Sequence, residues 1–233
     1  MSLNLKYKGV FITATDTSVG KTTVAAGLVG FLKKQGVDVG VMKPVASGAI
    51  ECDSGKLISQ DAEMLVKFSG STDPWEWINP YCLATSVTPS LAARIEGVVI
   101  HFDRIKSAYD EIAKKHDFVV VEGAGGAMSP VFENLVVVDM IRALDLPALI
   151  VSRSALGTIN HTLMTDECLR TRQIPVARPA VMPMRCNTVS TASHRAHRHG
   201  VSVQGVSPRA APLHLRTLRR PVCRTRLCEL PPH

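Results

Sequence analysis

GVFITATDTSVGKTT, residues 9–23, joins two patterns of different period. GVFITA (residues 9–14) is apolar throughout and rich in β-branched side chains, which predicts a strand covered on both faces. From Gly20 to about Gln35 the spacing becomes helical, and Gly36 stands where a helix is terminated. Between them lies TDTSVGKTT. A strand, a short polar loop and a helix opening on Gly-Lys-Thr form the context in which backbone N–H groups and a helix N-terminus bind phosphate. Lys21 would then reach the β- and γ-phosphates of a nucleotide, and the Thr22 hydroxyl would ligate Mg²⁺. The common spacing of such loops needs glycine at position 15, where this chain has Thr15. The tripeptide alone arises by chance, so its flanks carry the reading. The bland alternative is an ordinary strand–turn–helix with an exposed lysine.

Further strands are expected at VGVMKPV (39–45), FVVVEG (118–123) and PALIVS (147–152). Helices are expected over roughly 89–97, 103–116, 135–145 and 158–172. Strands alternating with helices predict an α/β fold, a doubly wound and mostly parallel sheet with helices on both faces. A chain of 233 residues, 45% hydrophobic and 20% charged, suits one such domain. No apolar run reaches the ~18 residues that span a bilayer. The first strand is too short and wrongly flanked for a secretory signal, so a cytoplasmic location is the default expectation. Six cysteines lack paired spacing and read as reduced thiols.

The net charge of +7 suggests nucleic-acid binding until its distribution is examined. Residues 1–177 hold 17 basic and 19 acidic side chains, whereas 178–233 hold ten arginines, no lysine and one acid, Glu229. Seven of the 14 prolines and five of the eight histidines also lie after Ala177, without apolar periodicity. The expected division is therefore a nucleotide-binding domain over 1–177 and an atypical segment over 178–233. For that segment three readings stay open: a basic tail, a divergent end of the same domain, or an out-of-frame translation. Its charge is poor evidence for a nucleic-acid or membrane partner, and neither is expected.

FITATDTSVGKT (11–22) resembles the signature GTDTxVGKT of the dethiobiotin synthetases, whose loop is one residue longer than the common phosphate loop. That length accounts for the missing glycine at 15. Ala14 stands where the family has its leading glycine, a substitution tolerated if φ there is negative. GVMKPVASG (40–48), NPY (79–81) with TPSLAARIEG (88–97), VVEGAGG (120–126) and LGTINHT (156–162) are similar to four further family motifs, in order. Beyond Ala177 the resemblance ends. The family has there a strand ending in an asparagine that reads adenine, and MPMRCN (182–187) lacks it in register.

The resemblance implies an ATP- and Mg²⁺-dependent ligase that joins CO₂ (or bicarbonate) to 7,8-diaminopelargonate and closes a cyclic urea in biotin biosynthesis. A carbamate on one amine attacks the γ-phosphate, and the second amine then displaces phosphate. Such a site needs cations, N–H donors and a metal. It implies catalytic roles for Lys21, Lys43, Ser47 and Thr17. Nucleotide would be held by Thr15, Asp16, Thr17, Ser18, Val19, Gly20, Lys21 and Thr22, together with Glu122, Gly123, Gly125 and Gly126. The metal would sit on Thr22, Asp61 and Glu122. Gly157, Thr158, Ile159 and Asn160 open a helix that would receive the substrate carboxylate from a second subunit, so a homodimer is expected. Plainer readings compete: a solvated lysine at a strand end for Lys43, turn chemistry for Ser47, and a helix N-terminal acid for Asp61. Glu122 has less of an alternative, since an acid ending a buried strand needs a reason. A partitioning-type ATPase switch is the main rival function, but such loops carry an extra early lysine that TATDTSVGKT lacks. A catalytically impaired product of a damaged gene is the other.

Overall fold

The computed structural model describes residues 7–52, 55–132, 135–177 and 180–182. In chain order the elements are β1 (Gly9–Ala14), α1 (Lys21–Lys34), β2 (Val39–Met42), β3 (Val45–Ser47), β4 (Ile50–Glu51), β5 (Leu57–Ile58), α2 (Gln60–Ser69), α3 (Trp75–Ile78) and β6 (Tyr81–Leu83). They continue with α4 (Pro89–Glu96), α5 (Phe102–Lys115), β7 (Phe118–Glu122), β8 (Pro130–Phe132), β9 (Leu135–Val136), α6 (Val137–Ala143), β10 (Ala148–Arg153), α7 (Thr158–Thr171) and β11 (Ala180–Met182).

β1 lies at the centre of a five-stranded sheet ordered β11-β10-β1-β7-β2, with every neighbouring pair parallel. Alternate side chains of each strand point to opposite faces, and both faces are buried. Phe11, Val119, Val121, Met42 and Ile150 pack with Ile105 and Ile112 of α5, Ile141 of α6 and Leu169 of α7. Val10, Ile12, Val41, Val120 and Val151 pack instead with Ala25 and Val29 of α1 and Ala62 and Leu65 of α2. The doubly wound parallel architecture expected from the sequence is the one observed. Gly40 permits α5 to close on β2. A Cβ there would lie 2.4 Å from Ile112 Cγ2 and 2.8 Å from His116 Cδ2.

Two expectations need correction. Residues 39–45 are not one strand. β2 stops at Met42, where its ladder with β7 ends at Met42–Val121, and the chain turns at Lys43–Pro44 into β3 of a separate two-stranded sheet with β6. Proline has no N–H to extend a ladder. Residues 135–145 begin as the short strand β9 before α6 starts at Val137. The sheet also continues past the charge seam, because Ala180–Met182 pair with Val151–Arg153. The expectations for residues 183–233, including the missing adenine-reading asparagine, lie outside the described residues. Among the described residues no helix is long and apolar enough to cross a membrane.

Candidate active site

Open parallel sheets bind ligands beyond the C-terminal ends of their strands, and four such ends supply this site. β1 runs into the phosphate loop. Ala14 is 0% exposed, pairs with Val151 and has no positive φ, so alanine is accommodated there without strain. The loop turns at Ser18 (φ 56°) and at Gly20 (φ 100°), the N-cap of α1. Glycine adopts that conformation freely, whereas serine does so at a cost of about 1 kcal/mol or more. Asp16 fastens the loop to itself and to β10. Its Oδ1 accepts from the Thr17 N–H at 2.7 Å, and its Oδ2 pairs with Arg153. Lys21 Nζ donates to the Asp16 carbonyl at 3.2 Å, which holds the ammonium folded back over the loop.

Behind the loop lie Lys43, just after β2, Asp61 in the first turn of α2, and Glu122 at the end of β7. Lys43 Nζ donates to Asp61 Oδ2 (2.6 Å), Glu122 Oε1 (2.9 Å) and the Gly123 carbonyl (3.2 Å). The Thr22 hydroxyl lies 2.8 Å from Asp61 Oδ1 and 2.8 Å from Glu122 Oε1. Glu122 is fully buried, and its Oε2 has no hydrogen-bond partner among the described residues. Lys43 is 3% exposed, which removes the solvated-lysine reading. Asp61 is indeed a helix N-terminal acid, on a helix capped by Ser59, yet it also joins this cluster. The two roles coincide.

The electrostatics follow from burial and proximity. Burial would lower the Lys43 amine, but the Glu122 and Asp61 carboxylates outweigh it and hold Lys43 above its ordinary value. Burial opposes ionisation of Asp61, yet the charge of Lys43, with hydrogen bonds from Lys43 and Thr22, holds it below the usual carboxylate range. Lys21 goes the other way. Burial, reinforced by the nearby charge of Lys43, brings it down to about 8 against the pull of Glu122, Asp61 and Asp16.

Thr17, Ser18, Gly20, Lys21, Thr22, Lys43, Ser47, Asp61, Glu122 and Gly125 line one cavity of about 330 Å³. Val19 is a buried core residue of the α1 face. Thr15 and Asp16 line a neighbouring cavity of about 710 Å³, together with Thr17, Gly126, Met128, His161 and Cys168. Gly123 and Gly125 have packing reasons of their own. A Cβ would lie 2.7 Å from Phe11 at the first and 2.3 Å from Ser129 Oγ at the second, where φ is 67°. Gly157 (φ 93°) is the N-cap of α7 and is followed by Thr158, Ile159 and Asn160; none of these four residues lines either cavity, although His161, next along the helix, lines the larger one. Sequence reasoning assigned no role to Arg153 or Asn79. Arg153 braces the phosphate loop, and the Asn79 amide donates to the Lys43 carbonyl at 2.7 Å. Asn79 belongs to the NPY motif, but its partner is 36 positions away and no local pattern reveals it.

A phosphate-binding loop at the C-terminal end of the central strand of a doubly wound sheet, backed by two lysines and two carboxylates, defines a phosphate-loop nucleotide-binding protein. The model of a family described as "AAA domain" matches residues 8–213. The ATP-dependent dethiobiotin synthetase BioD of Anaeromyxobacter dehalogenans (strain 2CP-C) is 42% identical over 170 residues, 73% of this chain and 74% of that protein. Its namesake from Methanococcus vannielii is 40% identical over 167 residues, covering 72% and 75%. The chain belongs to the ATP-dependent dethiobiotin synthetase family. Among solved structures, a ParA family ATPase from Chlorobium tepidum TLS is similar with a TM-score of 0.44 at 20% identity, covering 79% of this chain and 77% of that one.

Proposed function

We propose that this chain uses ATP to close the ureido ring of dethiobiotin from 7,8-diaminopelargonate and CO₂, in biotin biosynthesis. The observation that carries the proposal is Lys43, a buried cation on two carboxylates in the same cavity as the phosphate-loop Lys21. A carbamate and a γ-phosphate are both anionic, and bringing them together requires positive charge fixed in advance. Lys21, leaning on the Asp16 carbonyl, would hold the β- and γ-phosphates. Lys43 would turn from the carboxylates toward the carbamate oxygens, with the Ser47 and Thr17 hydroxyls as donors. The carbamate oxygen attacks the γ-phosphorus and ADP leaves. The second amine then attacks the carbamoyl carbon and expels phosphate.

The residues present fit Mg²⁺. The Thr22 hydroxyl, Asp61 and Glu122 bring hard oxygens together, and Glu122 Oε2 is buried without a partner among the described residues. Mg²⁺ takes one or two carboxylates and completes its shell with phosphate and water. Bound there, it would neutralise charge on the transferring phosphoryl group. A homodimer is supported by Leu156, Ile159, Leu163 and Met164, large apolar side chains exposed around the start of α7. In that arrangement the α7 N-terminus would receive the substrate carboxylate across the interface.

The test is phosphate release by purified protein. The account predicts release from ATP only when diaminopelargonate, bicarbonate and Mg²⁺ are all present. Equal release without the diamine would favour a switch ATPase.

A further inference from the structure

Lys43 occupies a break in the chain where its own strand can no longer hold it. The β2–β7 ladder ends one residue earlier, and Pro44 has no N–H to start another. Both peptide groups of Lys43 are instead held by the end of α3. Its N–H donates to the Ile78 carbonyl at 2.7 Å, and its carbonyl accepts from Asn79 Nδ2 at 2.7 Å. The same Nδ2 donates to the Tyr81 carbonyl at 3.1 Å, where β6 begins beside β3.

Both acceptors are carbonyl oxygens, so only the NH₂ end of the carboxamide can face them. Asn79 is 4% exposed, and its Oδ1 has no partner among the described residues. The side chain is therefore kept for its donors. The peptide plane between Lys43 and Pro44 fixes ψ of Lys43, and with it the direction in which the ammonium leaves the backbone toward Asp61, Glu122 and the cavity.

We propose that Asn79 is a positioning residue for the reaction: its carboxamide locks the Lys43 peptide so that the ammonium is aimed before substrate arrives. This rests on Lys43 acting as proposed above. Misplacing a catalytic group by about 1 Å costs up to roughly 10²-fold in rate. Removing the clamp leaves the phosphate loop untouched, so nucleotide affinity is not its target.

The experiment is a double-mutant cycle of Asn79→Ala and Lys43→Ala, reading kcat, ATP affinity and melting temperature. Asn79→Ala is expected to lower kcat roughly 10- to 100-fold with ATP affinity held within about threefold. In the Lys43→Ala background the same change should cost less than about twofold, because no ammonium remains to be aimed. A lower melting temperature with kcat unchanged would overturn the inference and leave Asn79 structural. Equal losses of kcat in both backgrounds would overturn it too. Normal turnover by Lys43→Ala alone would remove the reading of Lys43 itself, a failure distinct from the other two. Should Asn79→Ala not fold, Asn79→Leu, which fills a similar space without a donor, carries the same cycle with the same expected outcomes.

Discussion

A cluster of charges stands at each end of β2. Beyond Met42, Lys43 meets Asp61 and Glu122 in the interior, with Lys21 and Thr22 around them. Before Val39, Asp38 meets His116, whose Nδ1 lies 3.0 Å from Asp38 Oδ1 and whose Nε2 lies 2.8 Å from Asp73 Oδ2. Lys115 joins at 3.6 Å from Asp73 Oδ1 and lies over the ring of Trp77. The second cluster staples α5, β2 and the approach to α3 at the rim of the fold. Asp38 and Lys115 stand open to water, at 61% and 49% side-chain exposure, while His116 and Asp73 are largely covered. Pairs with one partner in solvent contribute little each, about 1 kcal/mol or less. The first takes a lysine and a glutamate almost wholly out of water and leaves one carboxylate oxygen unpartnered among the described residues. Replacing such a group by well-packed apolar side chains often costs nothing in stability. On the function proposed above, the interior cluster is arranged to meet incoming charge, while the rim cluster ties elements together.

The sharpest way to break this contrast is Lys43→Ala. Turnover should fall by about 10²-fold or more, the scale for losing a charge-stabilising group. ATP affinity should change far less, since the loop and Lys21 remain. Steady-state kinetics beside nucleotide titration would separate the two, and unchanged turnover would return Lys43 to an ordinary structural role.

Gly40→Ala probes the same strand from its packed face. The new methyl would collide with Ile112 and His116, so the free energy of unfolding read from a urea titration should fall by about 1–3 kcal/mol, the usual cost of overpacking. Turnover of the folded protein should stay within about threefold, because no site residue moves. A large loss of turnover with stability intact would mean that the two ends of β2 are coupled.

The smallest effect is expected from His116→Gln, and it should depend on pH. Burial would lower the imidazole, but the Asp38 and Asp73 carboxylates beside its two ring nitrogens outweigh that and hold it above its ordinary value. Its contribution is complete below the ordinary histidine value and is lost as pH rises through the folded value. Burial opposes ionisation of Asp73, while hydrogen bonds from Ser71 and His116 hold it below the usual range. Its contribution is present above the ordinary carboxylate value and is lost as pH falls through the folded one. The stability gap between wild type and His116→Gln should therefore be widest at about pH 4–6.5 and shrink toward alkaline pH, with a maximum of about 1 kcal/mol. A gap that widens on going to pH 9 would refute the pairing.

Much of this was legible in the sequence wherever the signal is local and continuous. β1, its loop and α1 occupy one uninterrupted stretch, and β7 announces itself as four apolar residues ending in an acid. Glu122 stood out as an acid ending a buried strand, whereas the roles of Lys43 and Asp61 were legible only through resemblance, since nothing in their spacing brings the three together. The turn at Lys43–Pro44 was not legible, because strands of two or three residues, such as β3, β5, β6 and β9, carry no measurable periodicity. Asn79 and the His116 cluster were hidden for another reason. Their partners lie 36 and 43 positions away, and only the folded sheet makes them neighbours.

The central claim is that the interior cluster delivers a carbamate oxygen to the γ-phosphorus of ATP. It is tested most directly by running the reaction with ¹⁸O-labelled CO₂ and examining the phosphate released. If the carbamate attacks phosphorus and the second amine then expels phosphate from carbon, one carbon-derived oxygen must leave in each phosphate, and the account predicts labelled phosphate in step with ring closure. Phosphate free of label, with product still formed, would mean that water took the phosphoryl group and would contradict the account.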